Sequence, residues 1–146
     1  MDLELSWQKG LDLKDDAVDL KSVPTEPGIY VFFRSHGGNQ EALYVGKAVN
    51  LRVRVKAELN SVSLMTGIKK SQNGKRQLVV GVIKLKQGQQ LNRALLTAEK
   101  ALIRYYLAES HALLNKQGTV IKVHSVKSVR TALKKLIPAQ VQLQIN

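Results

Sequence analysis

Cysteine is absent from this chain of 146 residues, and so is any long apolar run. Without cysteine the fold contains no disulfide, which fits the reducing conditions of the cytoplasm. No run of about eighteen apolar residues is present, as a membrane helix would need, and residues 1–20 are too acidic for an export leader. We therefore expect a soluble, cytoplasmic protein without membrane contact. Its length suits one domain with its own core.

Acidic residues are scarce and unevenly distributed. Lys and Arg number 23 against 11 Asp and Glu, which gives a formal net charge of +12. Residues 1–27 hold seven acids and three lysines, a charge of −4, whereas the rest of the chain holds four acids and twenty Lys and Arg, a charge of +16. A positive field of this size concentrates polyanions and favours binding through counterion release. The charge predicts a nucleic acid, DNA or RNA, as the partner.

Two short apolar segments predict a β-hairpin. The first follows Pro27 and reads GIYVFF, and the second reads ALYVG. Both are rich in residues that favour strands, and the polar, glycine-rich interval 35–40 between them predicts the turn. Each strand carries one tyrosine, Tyr30 and Tyr44. The hairpin therefore brings two phenols onto neighbouring strands.

Periodicity outlines the elements after the hairpin. Asn50 is a suitable N-cap for a helix whose apolar residues recur at spacings of three and four up to Val62. Residues 61–77 are predicted as a long, glycine-punctuated loop, 78–86 as a buried strand and 92–108 as a second helix.

The two ends of the chain carry weaker patterns. Apolar residues alternate over residues 3–7, which predicts an edge strand, and 15–20 are predicted to form one or two helical turns. Residues 119–123 and 141–145 predict short strands, whereas 125–137 have the spacing of an amphipathic basic helix.

Three charged side chains suggest phosphodiester chemistry. Lys47 follows Tyr44 by three residues, where its ammonium group would lower a tyrosine pKa. Arg54, about one turn into the following helix, would bind a phosphate oxygen. Glu99 falls on the apolar face of the 92–108 helix, so its charge needs a metal ion or a basic side chain beside it.

Four further cations lie in the 61–77 segment, namely Lys69, Lys70, Lys75 and Arg76. A long connection with this charge predicts contacts with the phosphate backbone. The alternative is a solvated loop without a binding role.

Two tripeptides in this order resemble a known nuclease signature. Gly28-Ile29-Tyr30 precedes Tyr44-Val45-Gly46, and these are followed by Lys47, Ala48, Asn50, Leu51 and Arg54. The arrangement resembles the GIY-YIG nuclease superfamily. The YVGKA-x-NL run is particularly similar to the amino-terminal nuclease domains of bacterial nucleotide-excision-repair endonucleases. The resemblance covers residues 27–115.

This resemblance implies an α/β (α+β) fold with a small, antiparallel, three-stranded central sheet flanked by helices. The nuclease-like core would span residues 27–117. Residues 1–26 would form an acidic extension, and residues 118–146, with the basic helix and a short strand, would complete the same domain.

The resemblance also implies the activity, which is metal-dependent endonucleolytic cleavage of DNA. Tyr30 and Tyr44 would face each other across the hairpin, one as general base and the other hydrogen-bonded to the phosphate, in an order that stays open. Lys47 would tune the phenol and Arg54 would stabilise the transition state. Glu99 would hold a single Mg²⁺ or Mn²⁺.

Substrate contacts are expected from the same residues and their surroundings. Gly46 would let the substrate approach the backbone, and Asn115 resembles the asparagine that closes the family's core motif. The expected substrate-binding residues are Gly46, Asn50, Arg52, Lys69, Lys70, Lys75, Arg76 and Asn115.

One position departs from the pattern. Four residues after Arg54, where many relatives have an aromatic residue or a histidine, this chain has Glu58. Its carboxylate is expected to pair with the guanidinium, either holding it or drawing it away from phosphate. The alternatives to a nuclease are a non-cleaving nucleic-acid-binding module with the same fold and a basic ribosome- or RNA-associated protein. Specificity would come from the loops, from a protein partner or from a homo-oligomer.

Overall fold

A single mixed sheet forms the framework of this computed structural model, which describes residues 2–71, 73–115, 124–129 and 136–143. The strands are β1 (Asp2–Trp7), β2 (Leu11–Asp12), β3 (Gly28–His36), β4 (Asn39–Ala48), β5 (Lys75–Lys84), β6 (His124–Val129) and β7 (Gln140–Leu143). The helices are α1 (Leu51–Leu59), α2 (Val62–Lys70) and α3 (Leu91–Ala108), with a short 3-10 helix at Leu20–Ser22. In the described residues, no helix is both long and apolar enough to cross a membrane.

The sheet is larger than the three strands predicted from the sequence. Its order is β4-β3-β5-β1-β6-β7, and β2 pairs with β5. The pairs are antiparallel except for β1 with β6, which is parallel. The predicted antiparallel centre is therefore present as β4-β3-β5, and the mixed α+β class is confirmed.

The N-terminal strand belongs to the interior of this sheet and is not the edge strand that was predicted. β1 pairs with β5 on one side and with β6 on the other. Its side chains Leu3, Leu5 and Trp7 are 1%, 0% and 2% exposed. Gly81 on β5 provides the space for the indole, since a Cβ at Gly81 would lie 2.9 Å from the Trp7 ring.

The β3–β4 hairpin turns through two glycines. Gly37 and Gly38 have φ angles of 57° and 81°, a left-handed conformation that glycine adopts readily. His36 pairs with Asn39 across the turn, so the strands extend into the predicted 35–40 interval. β4 also continues past Gly46, where its end was predicted, to Ala48.

Alternation along β3 divides the core in two. Ile29, Val31 and Phe33 belong to the core that α3 covers. Tyr30 and Phe32 point to the opposite face, where they pack with buried residues of α1 and α2. The first tyrosine of the signature is thus on the α1 side of the sheet, whereas α3 lies on the other side.

The segment after the hairpin contains two helices where one was predicted. Asn50 caps α1 as expected, because its Oδ1 accepts a hydrogen bond from Val53 N at 3.1 Å. The helix ends at Leu59, and Ser61 starts α2 by accepting from Leu64 N at 3.2 Å. The prediction of a loop over residues 61–77 is therefore wrong, because this short amphipathic helix packs Met65 and Ile68 into the core.

The terminal predictions have mixed outcomes. Asp15 and Asp16 have φ angles of 50° and 59° and form a tight turn instead of a helix. Residues 124–129 form a strand, so the predicted 125–137 helix is wrong there, because pairing with β1 overrides the local helical spacing. β7 confirms the predicted strand near residue 141. The predictions for residues 119–123 and 130–135 lie outside the described residues.

We predict that Trp7→Ala lowers the free energy of unfolding by about 3–5 kcal/mol, the usual cost of removing a large buried aromatic side chain. Val62→Ala is the control because Val62 is 80% exposed, and its effect is expected within about 0.5 kcal/mol. Chemical denaturation measures both. Equal midpoints for Trp7→Ala and the wild type would mean that residues 2–7 are not part of the cooperative fold.

Candidate active site

Tyr30 lies in a hydrogen-bonded cluster between β3 and α1. Its side chain is 0% exposed, and its hydroxyl donates to Glu58 Oε2 at 2.8 Å. The same hydroxyl accepts from Arg54 Nε at 3.3 Å. Arg54 and Glu58 project from one face of α1 because they are four residues apart. The expected direct pair is replaced by a bridge through the phenol, since the ion pairs of the described residues do not include Arg54 with Glu58.

Tyr44 stacks on Tyr30 and is partly exposed. The ring centroids are 6.3 Å apart and the rings are inclined by 29°. The two residues meet diagonally and not directly opposite each other, since Tyr30 pairs with Gly46 and Tyr44 with Phe32. A Cβ at Gly46 would overlap the Tyr30 ring. The space that Gly46 provides is therefore filled by Tyr30.

Burial and charge hold both phenols in the protonated form. Burial raises the pKa of Tyr30, the hydrogen bond from Arg54 opposes the rise, and Glu58 adds to it. Burial also raises the pKa of Tyr44, and the charge of Glu58 adds to the rise. The sequence predicted that Lys47 would lower a tyrosine pKa, but the cation acting on both tyrosines is Arg54. The Glu58 carboxylate accepts the hydrogen bond from Tyr30, and its charge acts on the Tyr44 hydroxyl as well.

Glu99 approaches this cluster around the edge of the sheet. It is half-buried on α3, which covers the opposite face, but β4 is the edge strand next to it. Burial raises the pKa of Glu99, while the charges of Lys47, Lys100 and Arg54 and the Lys47 backbone amide oppose the rise. The charge of Glu99 in turn contributes to the raised pKa of Tyr44. Electrostatic interactions thus link Glu99 to Tyr44, Lys47 and Arg54.

Asn115 binds the backbone of the strand that carries Tyr44. Its Oδ1 accepts from Val45 N at 2.8 Å, and its Nδ2 donates to Val45 O at 2.7 Å. Both ends of the amide are therefore used to hold the outer edge of β4. The sequence predicted a substrate contact for Asn115, whereas the observed contacts position the strand beside Tyr44.

His111 binds the same outer edge of β4 as Asn115 does. Its Nδ1 accepts a hydrogen bond from Ala42 N at 2.7 Å, which requires the neutral imidazole at that nitrogen. Leu114 N donates to Leu43 O at 2.7 Å in the same stretch. Sequence reasoning missed His111. Its role is to accept a hydrogen bond from the Ala42 amide, which is 69 residues away, and no local pattern indicates such a contact.

Two of the predicted phosphate-binding lysines are paired with the acidic N-terminal segment. Lys69 Nζ lies 2.8 Å from Asp16 Oδ2, and Lys75 Nζ lies 3.0 Å from Asp12 Oδ2. Exposed pairs of this kind contribute at most about 1 kcal/mol. The acids therefore reduce the local positive charge without burying either lysine. Lys70 is exposed at the end of α2.

Two predicted substrate-binding arginines hold backbone carbonyl groups. Arg76 donates to the carbonyl oxygens of Gly74 and Ser71 at 2.7 Å each. Arg52 Nε donates to Val23 O at 2.8 Å. These contacts fix the α2–β5 turn and the segment before β3. The sequence could not separate such arginines from Arg54, because all three are cations in the basic part of the chain after residue 27.

A divalent ion of the magnesium type suits the donors at the edge of this cluster. Among the described residues, no group of three or more His, Cys, Asp or Glu could hold a metal ion. Mg²⁺, however, is commonly held by one or two carboxylates together with substrate phosphates and water. Glu99, a half-buried carboxylate near a partly exposed phenol, is the residue that would hold such an ion.

Comparisons of the chain with protein-family models, with curated proteins and with solved structures found no match.

His111 predicts how stability depends on pH. Burial lowers the pKa of His111, and the charges of Glu41 and Glu109 oppose this. Below about 6.5, the ordinary histidine value, the unfolded chain therefore binds more protons than the folded one, and stability falls as the pH drops. We expect the melting temperature to fall less between pH 7.5 and 5.5 in His111→Gln than in the wild type.

The control for this measurement is His36→Gln, because His36 is an exposed histidine at the end of the hairpin. It should keep the pH dependence of the wild type. If the two variants respond to pH alike, the hydrogen bond between His111 and the Ala42 amide does not govern the stability of this edge.

Proposed function

We propose that this chain is a metal-dependent endonuclease that hydrolyses phosphodiester bonds in DNA. The observation that carries the proposal is the cluster formed by Tyr30, Tyr44, Arg54 and Glu58, with Glu99 at its edge. Two phenols, a guanidinium and two carboxylates are a costly group to desolvate together. Their combined chemistry matches what phosphodiester hydrolysis needs. The net charge of +12 favours a polyanionic substrate.

The phosphate would be held by Arg54. Its Nε is directed to Tyr30, so the phenol orients the guanidinium and leaves its terminal nitrogens for phosphate oxygens. Hydrogen bonds from a guanidinium stabilise the charge that builds up on these oxygens in the transition state. In this account Tyr30 is a positioning residue, because its buried hydroxyl is shared between Arg54 and Glu58.

Activation of water would use Tyr44 and Glu58 together. Tyr44 is the partly exposed phenol, so a water molecule can reach its oxygen. A free phenolate is unfavourable beside Glu58, because burial and the carboxylate charge raise the pKa of Tyr44. We therefore propose a relay in which the attacking water gives its proton to the Tyr44 oxygen as the Tyr44 proton passes to Glu58. No isolated phenolate forms in this relay.

Glu99 would hold the metal ion at the leaving-group side. When bound, one Mg²⁺ or Mn²⁺ supplies positive charge for the departing oxygen. The Lys47 ammonium and backbone amide favour the ionised carboxylate of Glu99, which is the form that binds a cation. Lys47 would thereby stabilise the charged form of the residue that holds the metal ion.

The second candidate is a nucleic-acid-binding module that does not cut. The raised pKa values of both tyrosines favour it, because neutral phenols can bind phosphate without activating water. The two candidates differ in whether Mg²⁺ produces cleavage.

We predict Mg²⁺-dependent cleavage of plasmid or branched DNA, with RNA as a parallel substrate. Tyr44→Phe, Arg54→Ala and Glu99→Gln should each lower the rate by about 10²-fold or more, since each removes a group that acts in the transition state. DNA binding should persist in Tyr44→Phe and Glu99→Gln. Gel assays of cleavage and fluorescence anisotropy measure the two effects.

Matched controls are available on the same chain. Tyr105→Phe and Glu109→Gln change the same residue types at the far end of α3 and should cleave like the wild type. Wild-type binding without cleavage would favour the non-cleaving module. Cleavage that survives in all three site variants would show that the site lies elsewhere.

A further inference from the structure

A groove between α1 and the first half of α3 opens beside the cluster. Its volume is about 510 Å³, within the range of about 300–1,000 Å³ that is common for small-molecule sites. The lining residues are Lys47, Ala48, Val49, Asn50, Val53, Arg54, Ala57, Asn92 and Leu95. Because Lys47 and Arg54 belong to both places, the groove is continuous with the candidate active site.

Exposed aliphatic side chains are concentrated at this groove. Val49 and Val53 line it and are 61% and 64% exposed. Leu96, which is also exposed, lies one turn after the lining residue Asn92 on α3. Two of the six exposed large apolar side chains in the described residues thus line the groove. Apolar surface grouped in this way is typical of a binding site.

The charges around the groove decide what kind of molecule fits it. The groove is lined by the cations of Lys47 and Arg54, which also belong to the candidate active site, and by the amides of Asn50 and Asn92. An anionic group at one end and a flat apolar group with polar edges at the other would satisfy all of these residues. A nucleotide has both parts. A purely apolar partner would leave the two cations desolvated without compensation.

The nucleotide must be unpaired for its base to make this contact. In a continuous duplex the faces of the bases are stacked and only their edges are accessible in the grooves. A base that enters an aliphatic groove therefore has to leave the stack, which costs least where it is already unpaired.

We propose that this groove binds the base of an unpaired nucleotide next to the scissile phosphate. The chain then acts on flaps, loops, branch points or single strands in preference to continuous duplex. This inference rests on the proposed function, because it takes the phosphate at Lys47 and Arg54 to be the one that is cleaved.

The test measures binding in the Tyr44→Phe background, so that cleavage plays no part. The probes are a fluorescein-labelled 12-nucleotide single strand, a duplex of the same sequence and a duplex with a short flap. The single strand and the flap should bind at least about fivefold more tightly than the duplex. Val53→Ser should remove most of that difference by deleting apolar contact with the base. Val62→Ser, the same change at an exposed valine on α2, should preserve it.

A second readout places the contact at the base. A 2-aminopurine at the first unpaired position should become more fluorescent on binding, as it leaves the stack, and Val53→Ser should reduce this change. Equal affinity for duplex and flap, or equal effects of Val53→Ser and Val62→Ser, would overturn the groove proposal.

The outcomes for the groove and for the proposed function are distinguishable. If the wild type never cleaves but binding of unpaired nucleotides depends on Val53, the nuclease assignment fails and the groove remains a nucleotide-binding site. If the wild type cleaves duplex and flap equally and Val53→Ser changes neither rate, the groove proposal fails and the nuclease assignment stands.

Discussion

The Tyr30 ring packed over Gly46 is the constraint on which the candidate site depends. Register in the β3–β4 hairpin places these two residues opposite each other, and any side chain at Gly46 would displace the ring. Partners for the hydroxyl of a phenol buried in this way avoid a cost of about 1–3 kcal/mol. α1 supplies both partners, Arg54 and Glu58, from one face. The hairpin register, the orientation of α1 and the hydrogen-bonded cluster are therefore parts of one arrangement.

The position of β4 at the edge of the sheet allows Glu99 to act on Tyr44. An interior strand would separate α3 completely from the tyrosine face, but an edge strand lets Glu99 act on Tyr44 around the end of the sheet. An edge also leaves backbone groups unpaired, which proteins usually cover. Here Asn115 and His111 bind the outer edge of β4. These bonds cover β4 on both sides of Tyr44 in the sequence, whereas Lys47 near the end of the strand lines the groove.

The parts of the fold that could be predicted from the sequence are those set by local patterns. The hairpin followed from two β-rich segments around Gly37 and Gly38, and α1 followed from its cap at Asn50. The resemblance led us to expect the tyrosines beside Arg54 and Glu99, and the structure shows Tyr30 in contact with Tyr44 and Arg54. Tyr30, however, meets Tyr44 diagonally, and Lys47 acts on Glu99.

The parts that could not be predicted depend on contacts between distant segments. Residues 124–129 have helical spacing, but they form a strand because they pair with the side of β1 that β5 does not occupy. Arg52, Arg54 and Arg76 look alike in the sequence, and only the neighbouring carbonyl groups and the Tyr30 hydroxyl distinguish their roles. Glu58 was read as a partner for Arg54 four residues away. The phenol that separates them comes from a strand 28 residues earlier, which local spacing cannot reveal.

The most direct test of this account is a double-mutant cycle between Tyr30 and Glu58 on the single-turnover rate of Mg²⁺-dependent DNA cleavage. Tyr30→Phe removes the hydroxyl that donates the 2.8 Å hydrogen bond, and Glu58→Leu removes the oxygen that accepts it. Both single variants lose the same hydrogen bond, so the double variant should lose clearly less rate than the product of the two single losses. Rate losses that multiply would show that the two side chains act independently, and would contradict the account.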